Sequence, residues 1–130
     1  MEIRIVATSY DLINNEEFLI KDGVAHLFDD KHLTYLEDNT NVRNEIVWND
    51  DEIILSRLGQ PSSVNNLKLN EFSICSVDTV YGEMVLDSYL VDKKRDLDNW
   101  YVEYKLFNQG EIVAHLKIIW RIKGVNNESN

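Results

Sequence analysis

The sequence is short of cysteine, proline and glycine and has no long apolar run. Its 130 residues contain one Cys, one Pro and five Gly. A single cysteine excludes an intramolecular disulfide framework and a zinc site built on several cysteines. Apolar runs such as Ile53-Ile54-Leu55 are far shorter than the roughly 20 residues of a bilayer-spanning helix. Because Glu2 and Arg4 interrupt the first apolar stretch, no signal peptide is recognised, and we expect a cytoplasmic protein.

Basic residues are the minority among the charges. The chain has 13 Lys and Arg against 23 Asp and Glu, for a net charge of −10. Such a chain repels phosphate, so we expect neither nucleic acid nor membrane as a partner. The hydrophobic share of 44% is too high for a disordered chain, and the length fits one core. We therefore predict a single domain over residues 1–125 and a polar tail over residues 126–130.

Alternation of apolar and polar residues is the dominant pattern. Over residues 111–123 every second residue is apolar, which is typical of a half-buried strand. The apolar face of this predicted strand consists of Ile112, Ala114, Leu116, Ile118, Trp120 and Ile122. Similar segments recur about every 8–12 residues with turn residues between them, and none has a convincing helical period. The pattern predicts an all-β, mostly antiparallel sandwich or barrel.

Turn residues divide the chain into predicted strands. Asn108-Gln109-Gly110 predicts a hairpin between residues 100–107 and 112–122, and Asp22-Gly23 predicts another between residues 17–21 and 24–28. A strand is predicted at residues 66–69. Residues 92–99 are charged on all sides and are interpreted as a solvated loop.

Arg57 is the candidate binding residue with the most specific position. It shares strand parity with Ile53 and Leu55, so it faces inward if they do. A guanidinium inside a barrel requires a carboxylate, a set of carbonyls or an anionic ligand. The other interpretation is an arginine near a strand end that pairs with a local acid or reaches solvent.

Five aromatic residues complete the set of candidate ligand-binding residues. Four fall at apolar-face positions, and Tyr81 falls in a turn. These side chains either line a pocket or form a plain core. The five residues are Trp48, Tyr81, Trp100, Tyr104 and Trp120.

No motif of catalysis or metal binding occurs. His26, His32 and His115 are far apart in sequence and share no metal-ligand spacing, and His115 is expected to be exposed. Cys75 lies in an apolar run and is interpreted as a small core residue. Nucleophile-elbow, phosphate-loop and dinucleotide motifs are missing. We expect no catalytic residue, no metal and no cofactor, and hence a protein that is not an enzyme.

Short motifs in the middle of the chain resemble a known family. Residues 52–59 end in Arg57-Leu58-Gly59, and Thr79 precedes a Tyr81-Gly82 turn. With the closing pair of long strands, this order resembles the YwiB-like family of small bacterial proteins, a domain of unknown function designated DUF1934. The resemblance covers nearly the whole chain. It implies a calycin- or lipocalin-like antiparallel β-barrel of about 8–10 strands.

Two classes of function follow as hypotheses. In the first, a small apolar or amphipathic anionic ligand enters the barrel and Arg57 anchors it. Fatty-acid carriers of similar size hold a carboxylate with interior arginines and a tyrosine near the C-terminus, whereas Arg121 here falls on a polar strand face. In the second, a solid-core barrel acts through its outer surface or by self-association. A homo-oligomer is compatible with the sequence but not indicated by it.

Overall fold

The computed structural model describes residues 1–125 as ten antiparallel strands closed into one barrel. Each strand pairs with the next along the chain, and the last pairs with the first. The all-β, antiparallel barrel prediction is confirmed, and the predicted tail at residues 126–130 lies outside the described residues. The strands are β1 (Glu2–Asp11), β2 (Glu16–Phe28), β3 (His32–Leu36), β4 (Arg43–Trp48), β5 (Glu52–Leu58), β6 (Ser62–Lys68), β7 (Phe72–Thr79), β8 (Gly82–Arg95), β9 (Asn99–Asn108) and β10 (Glu111–Val125).

The alternating strand directions give the barrel two different ends. Turns 12–15, 37–42, 59–61, 80–81 and 109–110 lie at one end, which we call the open end because a cavity opens there. Turns 29–31, 49–51, 69–71 and 96–98 lie at the opposite end, which we call the closed end. Between residues 1 and 125 no helix has the length and apolar character needed to cross a bilayer.

The closed end is filled by large apolar side chains. Ile53 is fully buried, and its register partners Trp48 and Leu67 are also buried. The Trp48 and Trp100 rings meet edge to face with centroids 5.6 Å apart. The Arg95 guanidinium lies 5.7 Å and 5.2 Å from the same two ring centroids, so a cation covers the aromatic pair. These side chains form a packed core in this half of the barrel, and a second pocket of about 440 Å³ lies beside it, bounded by Arg95, Leu97 and Trp100.

The predicted hairpin at Asp22-Gly23 is wrong. β2 runs unbroken through both residues, and they pair with Val6 and Ile5 of β1. The Asp22 amide donates to the Asp38 carboxylate at 2.8 Å. Tertiary pairing along the whole of β1 therefore overrides a local turn signal, and the irregularity in this pairing is a register shift near Ile20.

Three other strand limits differ from the sequence expectation. β8 continues to Arg95 because its last residues pair with β9, so the predicted loop shrinks to residues 96–98. β6 begins at Ser62 rather than at residue 66, since it pairs with β5 and β7 over that stretch. In β10 a bulge at Val113 pairs Ile112 with the outward-facing Phe107, so Ile112 does not belong to the inner face.

Candidate functional site

A cavity of about 440 Å³ occupies the half of the barrel next to the open end. Nine of the ten strands, or the turns beside them, contribute lining residues, β8 contributes none, and most of the lining side chains are apolar. The lining residues are Ser9, Phe18, Ile20, Glu37, Asn44, Glu45, Ile46, Leu55, Ser56, Arg57, Pro61, Ser63, Asn65, Cys75, Val77, Tyr104, Leu106, Leu116, Ile118 and Trp120. The period-two pattern produces this wall because each strand turns every second side chain inward.

Strand register places the lining residues at two depths. Asn44, Arg57, Ser63 and Val77 are successive register partners across β4 to β7, nearest the open end. The next inward-facing partners along the same strands are Ile46, Leu55, Asn65 and Cys75. We call these two sets the mouth layer and the inner layer.

Arg57 and Glu37 form an ion pair in the mouth of the cavity. Arg57 Nε donates to Glu37 Oε2 at 2.9 Å, and one terminal nitrogen donates to Oε1 at 3.3 Å. The other terminal nitrogen donates to the Pro61 carbonyl at 3.1 Å. Arg57 thus faces inward as its parity predicts and also pairs with an acid, which lies 20 residues away in sequence. Its positive charge is already compensated.

A chain of hydrogen bonds connects this ion pair with the barrel interior. Asn44 Nδ2 donates to Glu37 Oε2 at 2.7 Å, and the Tyr35 hydroxyl donates to Asn44 Oδ1 at 3.4 Å. The Trp120 indole nitrogen donates to the Tyr35 hydroxyl at 2.8 Å. Burial raises the pKa of Tyr35, so its phenol stays neutral and able to donate. The chain holds the Glu37 carboxylate in place.

Asn65 in the inner layer is a buried polar side chain without a hydrogen-bond partner. It is 4% exposed, and neither its carbonyl oxygen nor its amide nitrogen makes a hydrogen bond. Its register partners are Leu55 and Cys75. A weak hydrogen-bond-type interaction with the Asn65 side chain acts to lower the pKa of Tyr104, but the two groups do not meet hydrogen-bond geometry. Sequence analysis missed Asn65, and the signal that marks it is the alternation of Ser63, Asn65 and Leu67 within β6.

The polar groups around Asn65 are uncharged. Burial raises the pKa of the Tyr104 phenol, and the nearby Cys75 adds to that rise. Burial also raises the pKa of the Cys75 thiol, which keeps it protonated near neutral pH. The inner layer therefore holds neutral hydrogen-bonding groups and no thiolate nucleophile.

The six candidate residues from the sequence occupy three different places. Arg57, Tyr104 and Trp120 line the cavity. Trp48 and Trp100 belong to the packed closed end. Tyr81 is 97% exposed in the turn after β7 and does not line the cavity. A role in ligand binding stays a prediction for the three residues in the cavity wall.

A second polar cluster lies on the outer wall of β9 and β10. His115 Nε2 lies 2.7 Å from Glu103, and the Tyr101 hydroxyl donates to the same carboxylate at 2.9 Å. Hydrogen bonding from His115 lowers the pKa of Glu103. The pKa of Tyr101 is raised to about 12, first by desolvation and second by its hydrogen bond to the Glu103 carboxylate. His115 is thus half-buried and partnered, not freely exposed. Within residues 1–125 no three His, Cys, Asp or Glu side chains are placed to hold a metal ion.

Comparison with known proteins supports the fold. No protein-family model matches the sequence, and no curated protein matches it. Among solved structures, the chain is similar to the crystal structure of the ywiB protein from Bacillus subtilis, with a TM-score of 0.62 and 16% sequence identity. The match covers 93% of this chain and 89% of that chain. The likeness supports the YwiB-like resemblance at the level of the barrel fold, and function must be argued from the site.

Proposed function

We propose that the barrel binds a small, mainly apolar molecule in the cavity at its open end. The observation that carries the proposal is the cavity itself, about 440 Å³ of space at the open end, enclosed mainly by inward-facing apolar side chains of the strands. This volume falls within the roughly 300–1,000 Å³ of small-molecule sites. Mostly apolar walls with a few polar groups are also typical of such sites.

Arg57 offers a secondary contact for an anionic head group at the mouth. A guanidinium has five N–H donors, and the bonds to Glu37 and Pro61 use three of those of Arg57. An anion at the mouth shares the guanidinium with the Glu37 carboxylate, which repels it. The apolar walls therefore supply most of the binding in this proposal, and Arg57 contributes as a rim residue.

We expect N-phenyl-1-naphthylamine, an uncharged fluorescent probe, to bind the wild-type protein saturably with one site per chain. Val77→Trp places an indole in the mouth layer and should weaken binding at least about tenfold, or ~1.4 kcal/mol. Val85→Trp makes the same change on the outer wall, where Val85 is half-exposed, and should leave binding unchanged. Fluorescence titration measures all three. Absence of saturable binding to the wild type, or equal binding by Val77→Trp, contradicts the proposal.

An apolar cluster on the outer wall favours a second candidate function, self-association. The Phe72 ring is exposed and contacts Tyr89 and Phe107, with ring centroids 4.9 Å and 5.8 Å apart. Ile74 and Ile112 are exposed on the same neighbouring strands, β7 to β10. Contiguous exposed apolar surface of this kind marks protein contacts.

In this second function we expect a reversible dimer in sedimentation equilibrium. Phe72→Lys introduces a charge into the cluster and should abolish the dimer. Phe28→Lys, at the closed end of β2, makes the same substitution at another exposed phenylalanine and should leave the dimer intact. At about 1 mM protein, even a dimer with an association free energy of only ~4 kcal/mol is detected. A wild-type chain that stays monomeric up to this concentration argues against self-association.

A further inference from the structure

The Asn65 side chain indicates what chemistry the cavity recognises. Its oxygen and nitrogen are both buried and both without a partner, one layer deeper than Arg57. A leucine has nearly the same shape and would leave no unsatisfied group at this place. Buried amides in proteins are normally paired, because burying an unpaired one is costly. A bound molecule that pairs with this amide removes the cost.

The amide group limits the choice of partner. It presents an N–H donor and a C=O acceptor side by side in one plane. A group with the same pair in reverse, such as a carboxamide or a lactam, satisfies both atoms at once. A carboxylate has only acceptors and leaves the Asn65 oxygen unsatisfied. An alkyl chain satisfies neither atom.

The distribution of charge in the cavity also disfavours an anionic head group beside Asn65. The guanidinium of Arg57 is paired with Glu37 in the mouth layer, 38% exposed. Beside Asn65 in the inner layer the polar neighbours are the Tyr104 phenol and the Cys75 thiol, and burial raises the pKa of both. An anionic head group at this depth would lose its water and gain no cation in exchange.

From this arrangement we infer that the ligand is uncharged and carries an amide-type head group that hydrogen-bonds with Asn65. Its apolar body extends from the inner layer towards the mouth, against Leu106, Leu116 and Phe18 of the cavity wall. The inference rests on the proposed cavity function and names the ligand class for that site. Asn65 rather than Arg57 then selects the ligand.

Competition between two ten-carbon compounds tests the inference. Decanamide and decanoate are each used to displace N-phenyl-1-naphthylamine at about pH 8, where decanoate is ionised. We expect the wild type to bind decanamide at least about tenfold more tightly than decanoate. Asn65→Leu should remove this preference. Asn66→Leu makes the same substitution at the next residue of β6, which faces the outer wall, and should retain it.

The outcomes separate this inference from the proposed function. A wild type that binds the fluorescent probe but shows no preference, or prefers decanoate, overturns the amide inference and leaves the cavity function standing. A preference that persists in Asn65→Leu also overturns it. A wild type that does not bind the probe at all overturns the cavity function itself. The comparison of decanamide with decanoate is made on the wild-type protein. It therefore tests the inference even if Asn65→Leu does not fold.

Discussion

Replacing Ile53 by alanine should lower the free energy of unfolding by about 2–5 kcal/mol. Ile53 has no exposed surface and lies between its register partners Trp48 and Leu67 in the packed end of the barrel. The substitution removes buried hydrocarbon and leaves a cavity that large neighbouring rings cannot easily fill. Urea denaturation should show a lower midpoint with an unchanged slope, since the fold itself is retained.

Ile74→Ala is the matched control for this prediction. Ile74 lies on the outer wall of β7 and is 51% exposed, so in protein dilute enough to be monomeric the same truncation should cost less than about 1 kcal/mol. Equal losses in the two variants would mean that the closed end does not hold the barrel together. Both variants lose an isoleucine from a strand, so strand propensity changes equally in the two. A larger loss of unfolding free energy in Ile53→Ala therefore comes from the burial of Ile53 in the closed end.

The two halves of the barrel thus have different physical roles. Trp48, Trp100 and Arg95 close one end with ring contacts and a cation above the rings. At the other end Arg57 and Glu37 form an ion pair across the mouth and leave the interior beneath it unfilled. A barrel stabilised mainly from one end tolerates a cavity and an unpaired amide at the other, because the packed half offsets their cost.

Sequence periodicity was sufficient to predict the architecture, and local signals failed where long-range pairing outweighed them. β9 and most of β10 follow the predicted alternation, with Trp100 and Trp120 inward. Asp22-Gly23 has the composition of a turn but pairs with β1 over its full length. The Val113 bulge reverses parity for Ile112, and no local pattern marks a bulge of this kind.

The candidate site was predictable only in part, because parity indicates which way a side chain faces and not how deep it lies. Parity correctly turned Arg57 and Tyr104 towards the interior. Parity also predicted that Trp48 faces inward, but the strand register places this side chain in the packed end and not in the cavity wall. Glu37 comes from the turn after β3, and only closure of the sheet brings it to Arg57. Asn65 was not predicted because asparagine is common in the turns of this chain. The strand was also predicted to begin at residue 66, whereas β6 begins at Ser62 and includes Asn65.

Asn65→Leu should raise the free energy of unfolding of the ligand-free protein by about 1–3 kcal/mol, the usual cost of a buried polar group without a partner. Most substitutions of buried residues destabilise, so the expected sign is itself diagnostic. Leucine and asparagine are close in size, and a leucine at residue 65 would have apolar neighbours in Leu55 on the paired strand and Leu67 further along β6. Thermal or urea denaturation of the two proteins, without added ligand, measures the difference.

Asn66→Leu again provides the control, because it changes the same residue type on the outer face of the same strand. Its effect should stay within about 0.5 kcal/mol, as for most surface substitutions. A destabilised Asn65→Leu protein would show that the amide already contributes to the fold, through Tyr104 or another neighbour. A stabilised protein that has lost its preference for decanamide would show that asparagine at this place serves binding at the expense of stability, which is the pattern expected of a functional site.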